Sequence, residues 1–456
     1  MADKLYFSRD TEVYLQMTAD HGGGTGGTVW KIPVLDGFSF SQATNASEIT
    51  LSEAVSNNSA RGKSRRSRQM FNDSYAPAEW SFSTYMRPFK SAVNASNGWS
   101  PTGTSADVHS VEEALWANFV SNPSFTRGVS GTDAAWTAPN PHASSGNINP
   151  VKNDVNFKLI NFKSSEVAAL GEFDLYFKLG GTSGQIVGTA STQLNYRIAD
   201  CVVNEVTIDF DIDGIATLNW SGMGRIITEE ASTPSTNLIS EGADTDSNFI
   251  RNRLSIMSVV QADADELLET GETDSDNTAT TYDIVLTGGN ITFSNNITFL
   301  TPETLGVVNQ PIGHVTGTRS VSGNFTSYLN DDTDSTSTLF ARIIEDSDTV
   351  TNKFNVTFNI GGLPKITNGG TTVTVPFASD GANYDTDGDG SGTPTETDNT
   401  SVVVNMPRCH FELPTHSLDD IISLDTNFHA LPADNDPGAT EADYEAIIIY
   451  SGPTPS

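Results

Sequence analysis

Apolar and polar residues alternate with a period of two along most of this chain, a pattern that predicts β-strands. Phe38 and Phe40 alternate with serines, and residues 173–179 (FDLYFKL) place an apolar side chain at every second position. Residues 208–213 (IDFDID) repeat the pattern with aspartates between the apolar residues. Because a period of two puts successive side chains on opposite faces of a sheet, these segments are predicted to be strands.

Two segments carry a helical pattern instead. Residues 110–120 (SVEEALWANFV) predict one helix, with Ser110 as its N-cap and Glu113 completing a capping box. Residues 335–344 (STSTLFARII) predict the other. The chain is therefore expected to be mainly β, with two helices.

The two predicted helices belong to an ordered series of internal matches. Residues 114–120 (ALWANFV) match 338–344 (TLFARII) at a separation of 224 residues. Further matches in the same order pair 34–37 with 285–288, 49–51 with 297–299, 82–86 with 325–329, 173–181 with 354–362, and Cys201 with Cys409. Because the matches keep one order and the separation changes only between them, they indicate a tandem duplication.

The duplication predicts two copies of one mostly β domain. The first domain spans residues 1–226, a polar linker spans 227–248, and the second domain spans 249–456. The second domain carries an acidic insertion near 380–398, and the first carries 43 extra residues between its helix and the strand at 173–179.

Charge and composition limit the function classes. The chain has 456 residues, 24 basic against 57 acidic side chains, and a formal net charge of −33. This charge excludes a general phosphate-neutralising surface for nucleic acid, because the overall field repels phosphate. The first ten residues show no secretory signal, and no apolar run reaches the roughly 18 residues of a membrane helix. We therefore expect a soluble protein that is made in a cytoplasm and has no membrane anchor.

One basic cluster interrupts this acidic chain. Residues 61–68 (RGKSRRSR) follow the predicted strand at 49–51 and hold five basic side chains, namely Arg61, Lys63, Arg65, Arg66 and Arg68. Such a loop fits docking on an acidic surface of a neighbouring subunit, a solvated loop, or a contact with DNA. Docking is the interpretation that the acidic charge of the chain favours.

A calcium-like motif lies in the acidic insertion. Residues 385–396 (DTDGDGSGTPTE) place carboxylates at the spacing of a calcium loop, at Asp385, Asp387, Asp389 and Glu396. The flanks of this segment have the pattern of strands, whereas an EF-hand has helices there. A solvated acidic loop is therefore the simpler interpretation.

Other motifs do not support a chemical site. Residues 22–27 (GGGTGG) fit G-x-G-x-x-G spacing, but a predicted strand follows where a dinucleotide site needs a helix. Cys409, His410 and His416 lack a second ligand pair at zinc-finger spacing, so core packing is expected. A disulfide between Cys201 and Cys409 is not expected, because equivalent positions of two domains lie too far apart. No G-x-S-x-G, P-loop or HExxH motif predicts catalysis.

Several long segments also carry a resemblance to a known family. They are residues 45–53 (NASEITLSE), 71–86 (FNDSYAPAEWSFSTYM), 218–224 (LNWSGMG), 282–306, 311–331 and 427–439. Together they resemble the major tail tube proteins of long-tailed, non-contractile phages, and the resemblance extends from about residue 10 to residue 450. It is closest to the subset with a duplicated tube domain.

The resemblance implies a structural virion protein and not an enzyme. The implied fold is two tandem copies of a tail-tube β-sandwich or β-barrel-type domain, each with one flanking α-helix. In that subset three chains form a ring that imitates six subunits, and stacked rings form the tube. The basic loop at 61–68 would then lie between rings, and the chain is expected to lack the immunoglobulin-like C-terminal domain of some members.

The resemblance also implies partners. These are further copies of the chain, the tape measure, tail terminator and tail-tip proteins, and double-stranded DNA in transient, non-specific passage, with no cofactor and no metal. The lumen is predicted to be lined by acidic and uncharged polar groups, because a basic wall would bind phosphates and retain the DNA. The alternative is an extracellular or surface-layer β-sandwich binding protein with calcium at 385–396, against which the absence of an export signal argues.

Overall fold

The structure of the chain is a computed structural model that describes both predicted helices and most predicted strands. The described residues are 8, 11–17, 29–50, 68–94, 98–100, 107–120, 151–153, 157–162, 170–180, 193–234, 238–239, 249–261, 281–305, 307–331, 335–345, 354–361, 365–368, 371–374, 401–418, 421–432 and 445–451. Over these ranges the protein is mainly β, as the alternating pattern predicts.

The elements follow in chain order. The first are β1 (Glu12–Met17), β2 (Val29–Ile32), β3 (Ser39–Thr50), β4 (Arg68–Tyr85), β5 (Pro88–Asn94), β6 (Gly98–Ser100), β7 (Asp107–Ser110), α1 (Glu113–Phe119), β8 (Val151–Asn153), β9 (Phe157–Phe162), β10 (Phe173–Leu179), β11 (Leu194–Asp211), β12 (Thr217–Gly224), β13 (Ile226–Glu230) and β14 (Leu238–Ile239). A 3-10 turn at Asn252–Leu254 precedes the remaining elements. They are β15 (Ile256–Gln261), β16 (Thr281–Ile284), β17 (Leu286–Ser294), β18 (Ile297–Leu300), β19 (Gly313–Thr316), β20 (Ser320–Tyr328), α2 (Thr336–Glu345), β21 (Phe354–Ile360), β22 (Lys365–Asn368), β23 (Thr371–Thr374), β24 (Ser401–Phe411), β25 (Thr415–Leu418), β26 (Ile422–Ala430) and β27 (Ala446–Ser451).

Two sets of seven strands have the same antiparallel order. The first set pairs in the order β2-β1-β10-β11-β12-β4-β3. The second set pairs in the order β16-β15-β21-β24-β26-β20-β17. Each set thus takes the same path through its sheet, and its strands occur in the same order along the chain.

The matched cysteines occupy matching places in the two sets. Cys201 lies opposite Phe173, and Cys409 lies opposite Phe354, with a register shift after the phenylalanine in both cases. Both thiols are buried, and each Sγ lies near the carbonyl oxygen three residues earlier. Burial raises the pKa of both thiols, which fits the expected packing in the core.

Among the described strands, two pairings connect the first half of the chain to the second. The C-terminal part of β11 pairs on one side with β12 and on the other with β17 of the second set. Strand β9, which lies in the 43-residue insertion of the first half, pairs with β27, and β27 pairs with β24. The insertion therefore extends the sheet of the second set.

Helix α1 is buried at the junction of the two sets. Trp116 contacts Trp220 of the first set and Phe293 of the second, with ring centroids 4.9 and 6.0 Å away. Its Nε1 donates a hydrogen bond to the Tyr450 hydroxyl at 2.8 Å. The carbonyl of Phe119, at the last turn, accepts hydrogen bonds from side chains of the second half. All seven residues of the helix are buried as a result.

Both predicted helices are present, but the cap predicted for the first is wrong. The prediction for residues 335–344 is confirmed within one residue, since α2 spans Thr336–Glu345. The capping box of the first helix is wrong, because Ser110 is the last residue of β7 and pairs with Pro88. The helix begins at Glu113, and its cap residue Glu112 makes no side-chain capping hydrogen bond. The strand ladder uses the backbone that the capping box would have needed.

The segment predicted as a linker contains two strands. Strand β13 pairs with β11, from Ala199 opposite Ile226 to Asn195 opposite Glu230. Strand β14 pairs in parallel with β2. Residues 227–230 therefore extend the first sheet at the start of the connecting segment, because their backbone groups are paired with those of β11.

Candidate assembly surface

Eight of the strands form a continuous antiparallel sheet that runs through both sets. Its order is β3-β4-β12-β11-β17-β20-β26-β25. One face of this sheet is packed in the core. The buried residues on that face include Trp80, Phe82, Val206, Ile208, Phe210, Leu218, Trp220, Ile291, Phe293, Val321, Phe325 and Phe428.

The opposite face of this eight-stranded sheet is polar, and we call it the polar face. Strand registers place on it mostly serine, threonine, asparagine and carboxylate side chains. Its members are Ser39, Ser41, Glu79, Ser81, Ser83, Tyr85, Glu205, Thr207, Asp209, Asp211, Thr217, Asn219, Ser221, Met223, Gly288, Asn290, Thr292, Ser294, Ser320, Ser322, Asn324, Thr326, Tyr328, His410, Glu412, Thr415, Ser417, Ser423, Asp425, Asn427 and His429.

Hydrogen bonds connect neighbouring strands across the polar face. Ser83 Oγ donates to Asn219 Oδ1 at 2.5 Å, and Asn219 Nδ2 donates to Asp209. At the joint between the two sets, the hydroxyl groups of Thr207 and Thr292 lie 3.1 Å apart. Further along, Thr326 Oγ1 donates to Asp425 Oδ1 at 2.7 Å and Asn427 Nδ2 to Glu412 Oε2 at 2.8 Å. The polar side chains are thus held in place by their neighbours on the face.

The charge of the polar face is acidic. Its carboxylates are Glu79, Glu205, Asp209, Asp211, Glu412 and Asp425, and the face as defined holds no Lys or Arg. Partial burial raises the pKa of Asp209, whereas hydrogen bonds from Asn427 and His429 lower the pKa of Glu412. The face therefore presents carboxylates among hydroxyl, amide and imidazole groups.

Two edges bound the eight-stranded sheet. Strand β3 pairs with β4 and strand β25 with β26, and no other described strand pairs with either of them. Ser39 and Ser41 on β3 are exposed, as are Thr415 and His416 on β25. An open strand edge presents backbone donors and acceptors that another strand can pair with.

The predicted site residues lie mostly outside the described part of the chain. Arg61, Lys63, Arg65 and Arg66 are outside it, and Arg68 is the first residue of β4, opposite Thr50. The chain order therefore puts the basic cluster in the connection between β3 and β4. The calcium-like residues 385–396 and the glycine-rich residues 22–27 are also outside the described ranges.

Within the described ranges, no group of three or more His, Cys, Asp or Glu side chains is arranged to hold a metal ion. His410 lies on the polar face opposite His429, while Cys409 beside it points into the core. His416 packs its ring against Phe340 of α2 at 4.9 Å. These three side chains, which sequence proximity grouped, therefore point to different surroundings.

The polar face was not recognisable from the sequence as one surface. The alternation of single strands was visible, for example in residues 208–211 with their two aspartates. What the alternation could not indicate was that β11 pairs with β17, which brings the polar residues of both halves onto one face.

The fold and this surface define a mainly β protein that has a polar sheet face and, among its described strands, two open sheet edges. No protein family profile matches the chain. Over 439 residues it is 26% identical to the tail tube protein pb6 of Escherichia phage T5. The aligned region covers 95% of this chain and 74% of that protein. This similarity confirms the resemblance to tail tube proteins of long-tailed, non-contractile phages. None of the helices in the described ranges is long and apolar enough to cross a membrane.

Proposed function

We propose that this chain is a major tail tube subunit, a structural protein of the phage virion whose rings stack into a tube for DNA passage. The similarity to the tail tube protein pb6 supports the role in the tail. The single observation that carries the ring geometry is the pairing of β11 with β17, which makes one sheet from the two halves.

The chain is proposed to contain two copies of one domain, residues 1–226 and 249–456, joined by 227–248. The identical order of seven strands in the two sets supports this division. The matching positions of Cys201 and Cys409 opposite phenylalanines support it as well. Helices α1 and α2 take equivalent places along the two paths.

Ring closure follows if the junction inside the chain is repeated between chains. The junction joins β11 of the first set to β17 of the second. The counterpart of β11 in the second set is β24 continued by β25, and the counterpart of β17 in the first set is β3. These counterparts carry the two open edges of the eight-stranded sheet. Pairing of β25 in one chain with β3 in the next would continue the sheet and leave no open edge in a closed ring.

Three chains close such a ring most simply. Each chain supplies two domain copies, so three chains imitate a sixfold ring. The polar face then lines the lumen, because the opposite face is occupied by the apolar core. A wall of carboxylates, hydroxyls and amides does not neutralise phosphates, so double-stranded DNA passes without being retained.

Contacts between rings and with other tail proteins complete the proposal. Arg61, Lys63, Arg65 and Arg66 lie between β3 and β4 in the chain, and Arg68 begins β4. In a chain of net charge −33 these five side chains suit an acidic surface of the adjacent ring. At its ends the tube would meet tape measure, tail terminator and tail-tip proteins. Neither a cofactor nor a metal is needed for this function.

Electron microscopy of the purified chain, combined with the mass of isolated rings, tests the proposal. We expect hollow rings or tubes, and a ring mass equal to three chains, each of 48.7 kDa. Rings of six chains would contradict the trimeric arrangement while leaving the tube function intact. A chain that stays monomeric at high concentration and forms no tube in infected cells would overturn the function itself.

A further inference from the structure

One end of the first strand set is covered by residues that begin the second half of the chain. Ile215 forms an antiparallel bridge with Arg251. On either side of it, Ala216 N donates to Ile250 O at 3.0 Å and Asn252 N donates to Gly214 O at 3.1 Å. Residues 249–252 therefore add a short strand segment to the turn between β11 and β12.

The covering segment also buries apolar surface. Ile250 is 1% exposed and belongs to the main core cluster. The ring of Phe249 packs edge-on against Tyr85 at 5.4 Å, and the guanidinium of Arg87 lies 5.2 Å from the Phe249 centroid. Ala216, under this cover, is fully buried.

No segment in the described ranges covers the matching end of the second set. Met86 N donates to Ala216 O in the first set, and Leu329 N donates to Ile422 O in the second, so Ile422 takes the place of Ala216. Ile422 is 39% exposed and Ile421 is 60% exposed. Tyr328, which takes the place of Tyr85, is 38% exposed. These three side chains, Tyr328, Ile421 and Ile422, form what we call the open end.

The segment before β1 matches the segment that covers the first set. Lys178 lies opposite Glu12, and Asn359 lies opposite Ile256, which places β1 and β15 in the same register. Immediately before these strands, Thr11 N donates to Ser8 O at 3.0 Å and Ser255 N donates to Asn252 O at 2.8 Å. The same turn thus precedes the first strand of both sets.

The shared register of β1 and β15 aligns residues 5–8 with residues 249–252. Leu5, Tyr6 and Phe7 stand where the second half has Phe249, Ile250 and Arg251. Both segments begin with two large apolar residues. Ser8 is exposed. Its counterpart Asn252 is 7% exposed, because it contacts the turn between β11 and β12.

We propose that residues 5–8 of a second copy of this chain cover the open end, in the same way that residues 249–252 cover the first set. Within the chain, the segment that covers the first set belongs to the second set, which follows it. The set that follows the second set of one chain in a ring is the first set of the next chain. This inference rests on the proposed ring, and it names the apolar contact that supports its closure.

A cysteine pair tests the contact at residue level. The Ile215–Arg251 pair is flanked by two hydrogen bonds, so it is a non-hydrogen-bonded pair, for which Cα atoms lie roughly 4.5 Å apart, within disulfide range. The equivalent pair between chains is Phe7 with Ile421. We expect the double variant Phe7→Cys/Ile421→Cys to form disulfides between chains when assembled particles are oxidised.

The number of linked chains distinguishes the outcomes on a non-reducing denaturing gel. Species of two and three chains, and none longer, are expected from contacts within a three-chain ring. The variant Ile215→Cys/Arg251→Cys is the positive control and links within one chain, while Phe7→Cys/Val315→Cys, whose Val315 is 51% exposed elsewhere, should not link. The native Cys201 and Cys409 are buried and do not interfere.

Three results would overturn the inference. They are a disulfide within one chain, a ladder that continues beyond three chains, and no link between chains although the positive control links. If the wild-type chain forms tubes in the last case, the proposed function stands and only this contact fails. If the wild-type chain forms neither rings nor tubes, the proposed function fails as well.

Discussion

Arg319 is a buried charge at the point where the two halves meet. Its Nη2 donates to Phe119 O at 2.9 Å, and its Nε donates to Asn295 Oδ1 at 2.7 Å. Its guanidinium also lies over the ring of Phe162 at 4.2 Å. A cation at the carbonyl end of α1 complements the helix dipole and satisfies a carbonyl that the helix itself leaves open. A single side chain of the second half thus contacts both helix α1 and strand β9 of the first half.

We expect Arg319→Met to destabilise the unassembled chain by roughly 2–4 kcal/mol, because it removes charge-assisted hydrogen bonds from buried partners. Urea unfolding followed by tryptophan fluorescence measures the change. The control Arg253→Met removes a 78% exposed side chain whose ion pair with Asp213 is 3.7 Å long, and it should cost less than about 0.5 kcal/mol. Equal losses in the two variants would contradict the role assigned to Arg319.

At the scale of elements, the longest hairpin among the described strands leads to the basic cluster. Strands β3 and β4 pair from Ser39 opposite Ser81 to Thr50 opposite Arg68. Beyond the core their side chains become exposed, with Met70 66% and Phe71 52% exposed. The described part of the hairpin therefore becomes exposed toward Thr50 and Arg68, which flank most of the basic cluster in the chain.

Replacing Arg61, Lys63, Arg65, Arg66 and Arg68 together by Gln should impair ring stacking more than folding. Exposed charges contribute only about 0–1 kcal/mol per pair to stability, whereas several act together at an interface. Electron microscopy should show rings with few tubes, and urea unfolding should be unchanged. Raising the salt concentration should also weaken ring stacking of the wild type, because salt screens the same charges that the variant removes. Normal polymerisation of the variant at physiological salt would rule out the docking role.

At the scale of the whole molecule, the eight-stranded sheet separates apolar side chains on one face from acidic and polar side chains on the other. Its inner side chains fill a core that includes Trp80 and Trp220, both at most 2% exposed. Its outer side chains form the polar face, on which acidic groups are the charges. A ring of three chains would repeat this face around the lumen and along every stacked ring.

Tubes that carry Asn290→Lys and Asn324→Lys should retain DNA. The two positions face each other across β17 and β20, so the change adds two cations per chain to the proposed wall. Each phosphate contact makes the affinity more salt-dependent, by a logarithmic slope of about 0.9. Genome release from virions built with this variant should be slow at low salt and recover at high salt. The control Asn290→Asp/Asn324→Asp should release DNA like the wild type; equal release by the lysine variant at low salt would refute the wall assignment.

The sequence by itself determined the features that depend on neighbours along the chain. Period-two alternation sufficed for the mainly β class, and α2 was predicted within one residue of its observed bounds. The ordered matches also placed Cys201 and Cys409 in corresponding positions, and both lie opposite a phenylalanine. These features are predictable because the side-chain period and the spacing between strands depend on residues that are close together in the sequence.

The tertiary structure decided what depends on residues far apart in the chain. Asp174 and Tyr176 alternate with apolar residues, yet both are buried, because Asp174 accepts a 2.7 Å hydrogen bond from Arg197 and Tyr176 packs with Tyr14. Ser110 is in a strand and not at a helix cap, because β5 pairs with it. Alternation predicts that a strand has two faces, but not which strand lies beside it. Only the pairing of β11 with β17, and of β9 with β27, made the two halves one sheet with one polar face, because such contacts depend on which distant strand edges meet in the folded chain.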